Sequence, residues 1–310
     1  MVLLPPTLLE RVGGAARRLP RDLLASLLVV LAYATFTIMA VFVRNAAEHL
    51  PVIVIVFLRQ VLTMLLMTPL FWMNREQIRH PMGFRLHALR GFTAVGSMLC
   101  GLTALVYVPF ADVTAIQMTE ALFVTALAAL LLRETVGWRR WSATAVGFLG
   151  VVVMLGPFSG GIEHYALVAL LGAVFSAFAV ISLRLGSTLD STVTVLFYQG
   201  LVVLALTAPL AWWYWQPVTL AGLQVVFMMS LVMVVGQLLF TSALRMGEAA
   251  ALAPLGYLRL LLMGVVGYWL YAEVPSLATV LGALLVVGSA SYTLHRNAKR
   301  QEAIREEGPG

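Results

Sequence analysis

The second half of this 310-residue chain repeats its first. Shifted by 140 residues, Arg44 falls on Arg184, Phe57 on Phe197, Pro69 on Pro209 and Trp72 on Trp212. Shifted by 139, Ala104-Leu105 falls on Ala243-Leu244 and Glu134 on Glu273. Apolar runs at 23–43, 52–72, 88–108, 111–132 and 141–156 make up the first unit. Those at 165–185, 191–212, 219–244, 249–272 and 276–294 make up the second. An odd number of spans per unit forces the second copy to enter a membrane upside down relative to the first. Inverted repeats of this kind place a binding site where the repeats meet, near the middle of the bilayer.

Composition makes lipid the solvent. Hydrophobic residues are 61% of the chain and charged residues 11%, against ~25% charged in a soluble domain. The mean hydropathy is +0.94. Arg11, Arg17, Arg18 and Arg21 precede an apolar run of membrane length with no small-x-small cleavage pattern after it, so a span is expected there and not a cleaved leader. A net charge of +6 fits basic loops that hold a membrane protein in place; no nucleic-acid partner is expected. The lone Cys100 excludes an internal disulfide and reads as a small apolar residue in a helix.

Arginine placement orients the bundle. With the N-terminus inside, Arg44 lies in an outer loop and Arg59 and Arg259 lie within spans. The other 17 of the 20 Lys and Arg then fall in inner segments. Basic residues gather on the cytoplasmic side, so both termini are expected there. Trp212-Trp213-Tyr214-Trp215 reads as a headgroup belt at the outer end.

A charge inside the bilayer costs at least ~2.5 kcal/mol on insertion scales and is a functional candidate by default. Three qualify: Arg59 in the second span, Glu120 in the fourth and Arg259 in the ninth. Glu120 and Arg259 are 139 residues apart, so an acid and a base occupy one position of the repeat. They are expected to neutralise each other, either directly as an ion pair that fixes packing or through a zwitterionic ligand. Gln117 lies three residues before Glu120, on the same helical face. Tyr257 and Gly256 share the half-helix of Arg259, and Gln237 lies midway along the eighth span. Gln199 is the repeat partner of Arg59. Small residues such as Ser97, Gly172 and Ser176 mark faces of close helix packing.

Other chemistry is excluded by what the sequence lacks. It has no Walker motif, no HExxH and no GxSxG, and no pair of carboxylates lies within a span. All five histidines (His49, His80, His87, His164, His295) fall in loops or near span ends, so no intramembrane metal site is expected. Neither an enzyme nor a bound cofactor is anticipated.

Taken together, Arg59, the run Ala126-Leu127-Ala128-Ala129-Leu130-Leu131-Leu132-Arg133-Glu134 and its echo Gly267-Tyr268-Trp269-Leu270-Tyr271-Ala272-Glu273-Val274-Pro275 resemble the EamA repeats of the drug/metabolite transporter superfamily. Gly282 and Gly288, and Pro254 with Tyr257, add to the resemblance. Where many members carry a proline midway along the fourth helix, this chain has Met118-Thr119-Glu120-Ala121. The resemblance implies an all-α integral membrane fold of ten transmembrane helices in two inverted five-helix repeats, and an alternating-access carrier for small metabolites. Amino-acid exporters look like the nearest branch.

The expected organisation is a cytoplasmic segment at 1–22, repeats at 23–156 and 165–294, and a cytoplasmic tail at 295–310. The expected function is secondary transport of amino acids or similar small metabolites across a bacterial inner membrane, outward. An organic-anion or nucleotide-linked metabolite carrier is the alternative, because two buried arginines face one acid. Glu120, Arg259, Gln117, Tyr257, Arg59 and Gln237 are the candidate substrate contacts. A small-molecule substrate and membrane lipid are the expected partners.

Overall fold

With no water to satisfy them, backbone amides in an apolar run must bond within the segment, and the runs accordingly become helices. The structure is a computed structural model that describes residues 21–79, 81, 83–131, 138–154, 164–186, 191–246, 252–289 and 291–292. Among these there is no strand. The helices of the first half are α1 (Arg21–Ala47), α2 (Val52–Met73), the short α3 (Arg75–Arg79), α4 (Phe84–Tyr107), α5 (Phe110–Gln117), α6 (Glu120–Leu131) and α7 (Trp138–Met154). The second half adds α8 (His164–Gly186), α9 (Thr192–Trp213), α10 (Leu220–Met246), a 3-10 turn (Ala253–Tyr257), α11 (Leu258–Tyr271) and α12 (Leu277–Ser289). Seven stretches are long and apolar enough to cross a membrane, counting Phe110–Leu131 as one; Trp141–Met154, Leu255–Tyr271 and Leu277–Ser289 are shorter. Residues 1–20 of the expected N-terminal segment, the expected tail, the joining loop near 157–163 and Glu134 lie outside the described residues, as does the side chain of Arg184.

Local chemistry sets the helix starts. Pro51 and Pro109 stand immediately before α2 and α5, where a fixed φ and a missing N–H cost nothing. Ser191 and Ser276 cap α9 and α12: each Oγ accepts the amide of the residue three further on, at 3.3 and 3.0 Å. Buried hydroxyls inside spans bond to their own helix. Thr114 donates to Phe110 O (2.8 Å), Thr207 to Val203 O (2.7 Å) and Ser230 to Val226 O (2.8 Å). Outward faces are apolar, as at Leu65, Leu130 and Leu284, and Trp212, Trp213 and Trp269 are more than four-fifths exposed. In water such a surface would aggregate; in lipid it is solvated.

Two of the expected spans are broken. The fourth is interrupted at Met118-Thr119, where amides turn to carbonyls three residues back: Thr119 N–H to Ile116 O (3.0 Å) and Leu122 N–H to Thr119 O (2.9 Å). The Thr119 hydroxyl adds a bond to Ile116 O at 2.6 Å. This tightening breaks the helix without a proline. In the ninth, Pro254 opens the 3-10 turn that ends at Tyr257. Met118 and Tyr257 are 139 residues apart, so the interruption recurs at one position of the repeat. Glu120 and Arg259 follow it as the first and second residues of α6 and α11.

Helix pairing crosses the halves. The most extensive contacts are α1 with α10 and α4 with α8. In spans these pairs are the first with the eighth and the third with the sixth, and the repeat exchanges one pair for the other. The pairs α2 with α9, α5 with α11 and α7 with α12 also join the halves.

The crossing of α7 and α12 is made by two glycines. A Cβ on Gly150 would lie 2.7 Å from the Gly282 carbonyl oxygen, and one on Gly282 would lie 2.5 Å from the Gly150 carbonyl oxygen. Neither backbone can yield without moving its helix. Gly150→Ala is therefore expected to lower stability by about 1–3 kcal/mol, read as thermal unfolding in detergent. Gly288→Ala, which would meet nothing within 4 Å, is expected to change it by less than about 0.5 kcal/mol. Equal effects at both positions would refute the crossing.

Candidate functional site

The two interruptions meet at a cavity of about 370 Å³ enclosed by α1, α4, α5–α6, α8 and the start of α11. Its polar walls are Tyr33, Ser97, Gln117, Glu120, Ser176 and Arg259, with Gly172 and Gly256 among the small residues that leave the space open. Ser176 Oγ donates to Glu120 Oε2 at 2.6 Å. Arg259 Nη2 donates to Gln117 Oε1 at 3.0 Å, while its Nε is buried with no hydrogen-bond partner among the described residues.

The acid and the base share this cavity but do not touch. Among the described residues no Arg259 nitrogen lies within 4.0 Å of a Glu120 oxygen. The direct ion pair expected as one alternative is thus not formed here. Each charge is held by one neutral neighbour, and a neutral partner offsets only part of the cost of taking a charge out of water. The cavity therefore presents an acceptor and a donor of opposite charge on facing helices.

Of the other residues singled out from sequence, three lie elsewhere. The Tyr257 hydroxyl accepts from Ser291 Oγ at 2.8 Å, toward the end of the chain and away from the cavity. Gln237 lies half-buried on α10 and is not part of the cavity wall. Arg59 is 3% exposed, and its guanidinium donates to the sulfurs of Met233 (2.7 Å) and Met98 (3.0 Å). No carboxylate of the described residues pairs with it. Gln199, its repeat partner in sequence, instead accepts from Arg90 Nε at 2.7 Å. Ser176 and Ser97 line the cavity, although sequence reasoning marked them only as packing residues. A hydroxyl on a small-residue face was the available signal.

A second polar cluster closes one end of the bundle. Arg44, at the end of α1, donates from Nε to Leu105 O (2.7 Å), from Nη2 to Val108 O (2.6 Å) and from Nη1 to Glu273 Oε1. Glu273 Oε2 accepts the Phe110 N–H at 2.8 Å and so caps α5. The guanidinium lies 3.9 Å from the Phe110 ring centre and 4.6 Å from that of Tyr271, a cation–π sandwich. Ala272, in the left-handed region at φ 52°, reverses the chain so that Glu273 folds back onto α11. Gly267 leaves room for its carboxylate. Phe110 and Tyr271 terminate the helices that carry Gln117 and Arg259, so this clasp stands about 6 Å along α5 from Thr114 in the cavity wall and about 10 Å from Gln117.

Two copies of one helical unit around a small charged cavity are the frame of a multi-pass membrane protein. The EamA-like transporter family matches the chain twice, over residues 23–156 and 164–294. The pseudopaline exporter of Pseudomonas aeruginosa is 30% identical over 282 residues, which cover 90% of this chain and 99% of that protein. An S-adenosylmethionine uptake transporter of Rickettsia prowazekii is 29% identical over 227 residues, covering 71% and 75%. A riboflavin transporter of Brucella anthropi is 25% identical over 257 residues, covering 80% and 90%. A solved crystal structure, 18% identical, shares the fold with a TM-score of 0.59 over 91% of this chain and 98% of that one. The chain belongs to the EamA-like transporter family: it is a membrane transporter and not an enzyme.

Proposed function

We propose that this protein is a ten-helix secondary carrier of the bacterial inner membrane that moves amino acids, or small metabolites bearing an amino-acid head, outward by alternating access. The observation that carries this reading is the separated pair Glu120 and Arg259. An α-ammonium would be taken by Glu120, assisted by Ser176. An α-carboxylate would be taken by Arg259, assisted by Gln117. A zwitterion bound between them neutralises both buried charges at once, which neither neutral neighbour can do. S-adenosylmethionine, the substrate in the name of one relative, carries such a head. The pseudopaline exporter, matched over 99% of its own length, is named as an exporter, which supports the outward direction.

In this reading the repeats are residues 23–156 and 165–294, the three shorter apolar helices complete the ten spans, and both termini are cytoplasmic. The Arg44–Glu273 clasp then lies at the outer face, and the conformer described here is the one closed to the outside. A second reading, an organic-anion carrier, is favoured by one observation: Arg59 is a further buried cation with no acidic partner among the described residues.

Counterflow in proteoliposomes tests both. Zwitterionic amino acids and S-adenosylmethionine are expected to accelerate uptake of labelled substrate and to saturate. Dicarboxylates and nucleotides are expected to leave it unchanged. Stimulation by the anions alone would select the second reading, and flux without saturation would exclude a carrier.

A further inference from the structure

A groove away from the cavity runs between α2 and α9. It has a volume of about 460 Å³, and its walls are almost wholly apolar: Val61, Leu65 and Trp72 of α2, Leu201 and Leu204 of α9. Two cations, Arg75 and Arg79, stand at one end only. Both are exposed and lie one turn apart on α3. Among the described residues neither has a carboxylate within 4.0 Å. Arg75 lies over the Trp72 ring at 5.4 Å, which aims it across the mouth of the groove.

The dimensions are those of a lipid. From Val61 to Trp72 α2 advances about 16 Å, at ~1.5 Å per residue. That is close to half of a ~30 Å hydrocarbon core. An apolar channel one leaflet deep, ending in a tryptophan and two unpaired arginines, matches one acyl chain below one negatively charged headgroup. A free anion would be bound by the arginines but would leave the groove unused.

We infer that the groove between α2 and α9 is a binding site for one anionic phospholipid, with an acyl chain along Val61–Trp72 and the phosphate on Arg75 and Arg79. The site rests on the proposed orientation only for the leaflet it serves, which is the cytoplasmic one.

The test is native mass spectrometry of the full-length protein equilibrated with equal amounts of dioleoylphosphatidylglycerol and dioleoylphosphatidylcholine. Retention of the anionic lipid is expected to exceed that of the neutral one on the order of ten-fold. Arg75→Gln/Arg79→Gln is expected to bring the ratio near one. Leu201→Trp, which fills the groove and keeps both arginines, is expected to lose the bound lipid. Inorganic phosphate at matched ionic strength is expected not to displace it. Equal retention of both lipids by the unaltered protein, an unchanged ratio in the arginine variant, or displacement by inorganic phosphate would each overturn the site. If the double variant does not elute as a single species, the lipid comparison and Leu201→Trp decide. No substrate enters this assay, so it stands apart from the transport reading. Labelling of a cysteine at position 79 from outside intact cells would refute the orientation and leave the lipid result as measured.

Discussion

Glu120→Gln and Arg259→Gln are each expected to reduce saturable flux by about 30- to 100-fold while the protein folds as before. The magnitude follows from losing one charged, buried contact to the substrate, about 2–3 kcal/mol. Stability is the discriminating half of the result. Had the two formed an ion pair, removing either would strand the other in apolar surroundings and cost ~3–5 kcal/mol. In this structure they are apart, and Gln at 120 keeps a partner for Ser176 while removing a poorly compensated charge. Each single variant should therefore melt within about 3 °C of the parent, and the stability effects of the two should add. Glu120→Gln/Arg259→Gln should fold and not transport. A coupling above ~1 kcal/mol in the stability cycle, or full transport by the double variant, would return the pair to a purely structural role.

Breaking the clasp is expected to open the end of the bundle that the proposed orientation places outside. Glu273→Gln removes the negative partner of Arg44 and weakens the acceptor for the Phe110 amide. Two elements then lose their tie at the same point: the end of α11 and the start of α5. The readout is a cysteine at Ser97, in the cavity wall, in a Cys100→Ala background. A membrane-impermeant thiol reagent added to intact cells should modify it at least ten-fold faster when Glu273 is Gln, since roughly 1.4 kcal/mol of bias toward the open state changes its population ten-fold. Arg44→Gln should act in the same direction and more strongly, because three acceptors and two ring faces lose their cation. A fall in melting temperature with no change in labelling would make the clasp a packing device only.

Much of this architecture is legible in the amino-acid order, for physical reasons. Hydropathy reports lipid exposure directly, so the helices fall where the apolar runs do. A charge in an apolar run is conspicuous, which singles out Glu120 and Arg259, and helical spacing adds Gln117 on the face of Glu120; all three line the cavity. What escapes is what depends on backbone detail or on a partner far away in the chain. The break at Met118-Thr119 has no proline to announce it; a threonine hydroxyl and three amides that bond three residues back produce it. Tyr257 stands outside the cavity wall for a related reason. In the 3-10 turn successive side chains are about 120° apart, so Gly256 faces the cavity and its neighbour faces Ser291. Ser176 carries no sign in sequence that its hydroxyl meets a carboxylate on another helix.

The cross-pairing of helices sorts most spans of this transporter into two bodies. The first, second, eighth and ninth spans touch one another, and so do the third, fourth, sixth and seventh, while the second also packs on the seventh and the ninth on the fourth. The cavity divides along that line: Tyr33, Gly256 and Arg259 belong to one body, Ser97, Gln117, Glu120 and Ser176 to the other. The clasp divides there too, with Arg44 and Glu273 gripping backbone groups of Leu105, Val108 and Phe110. Neither body is a repeat. Each is a chimera that takes two spans from either half, and the symmetry swaps one chimera for the other. Duplication has thus supplied two interlocked jaws, each built from both copies, so that neither half of the chain holds a whole jaw by itself.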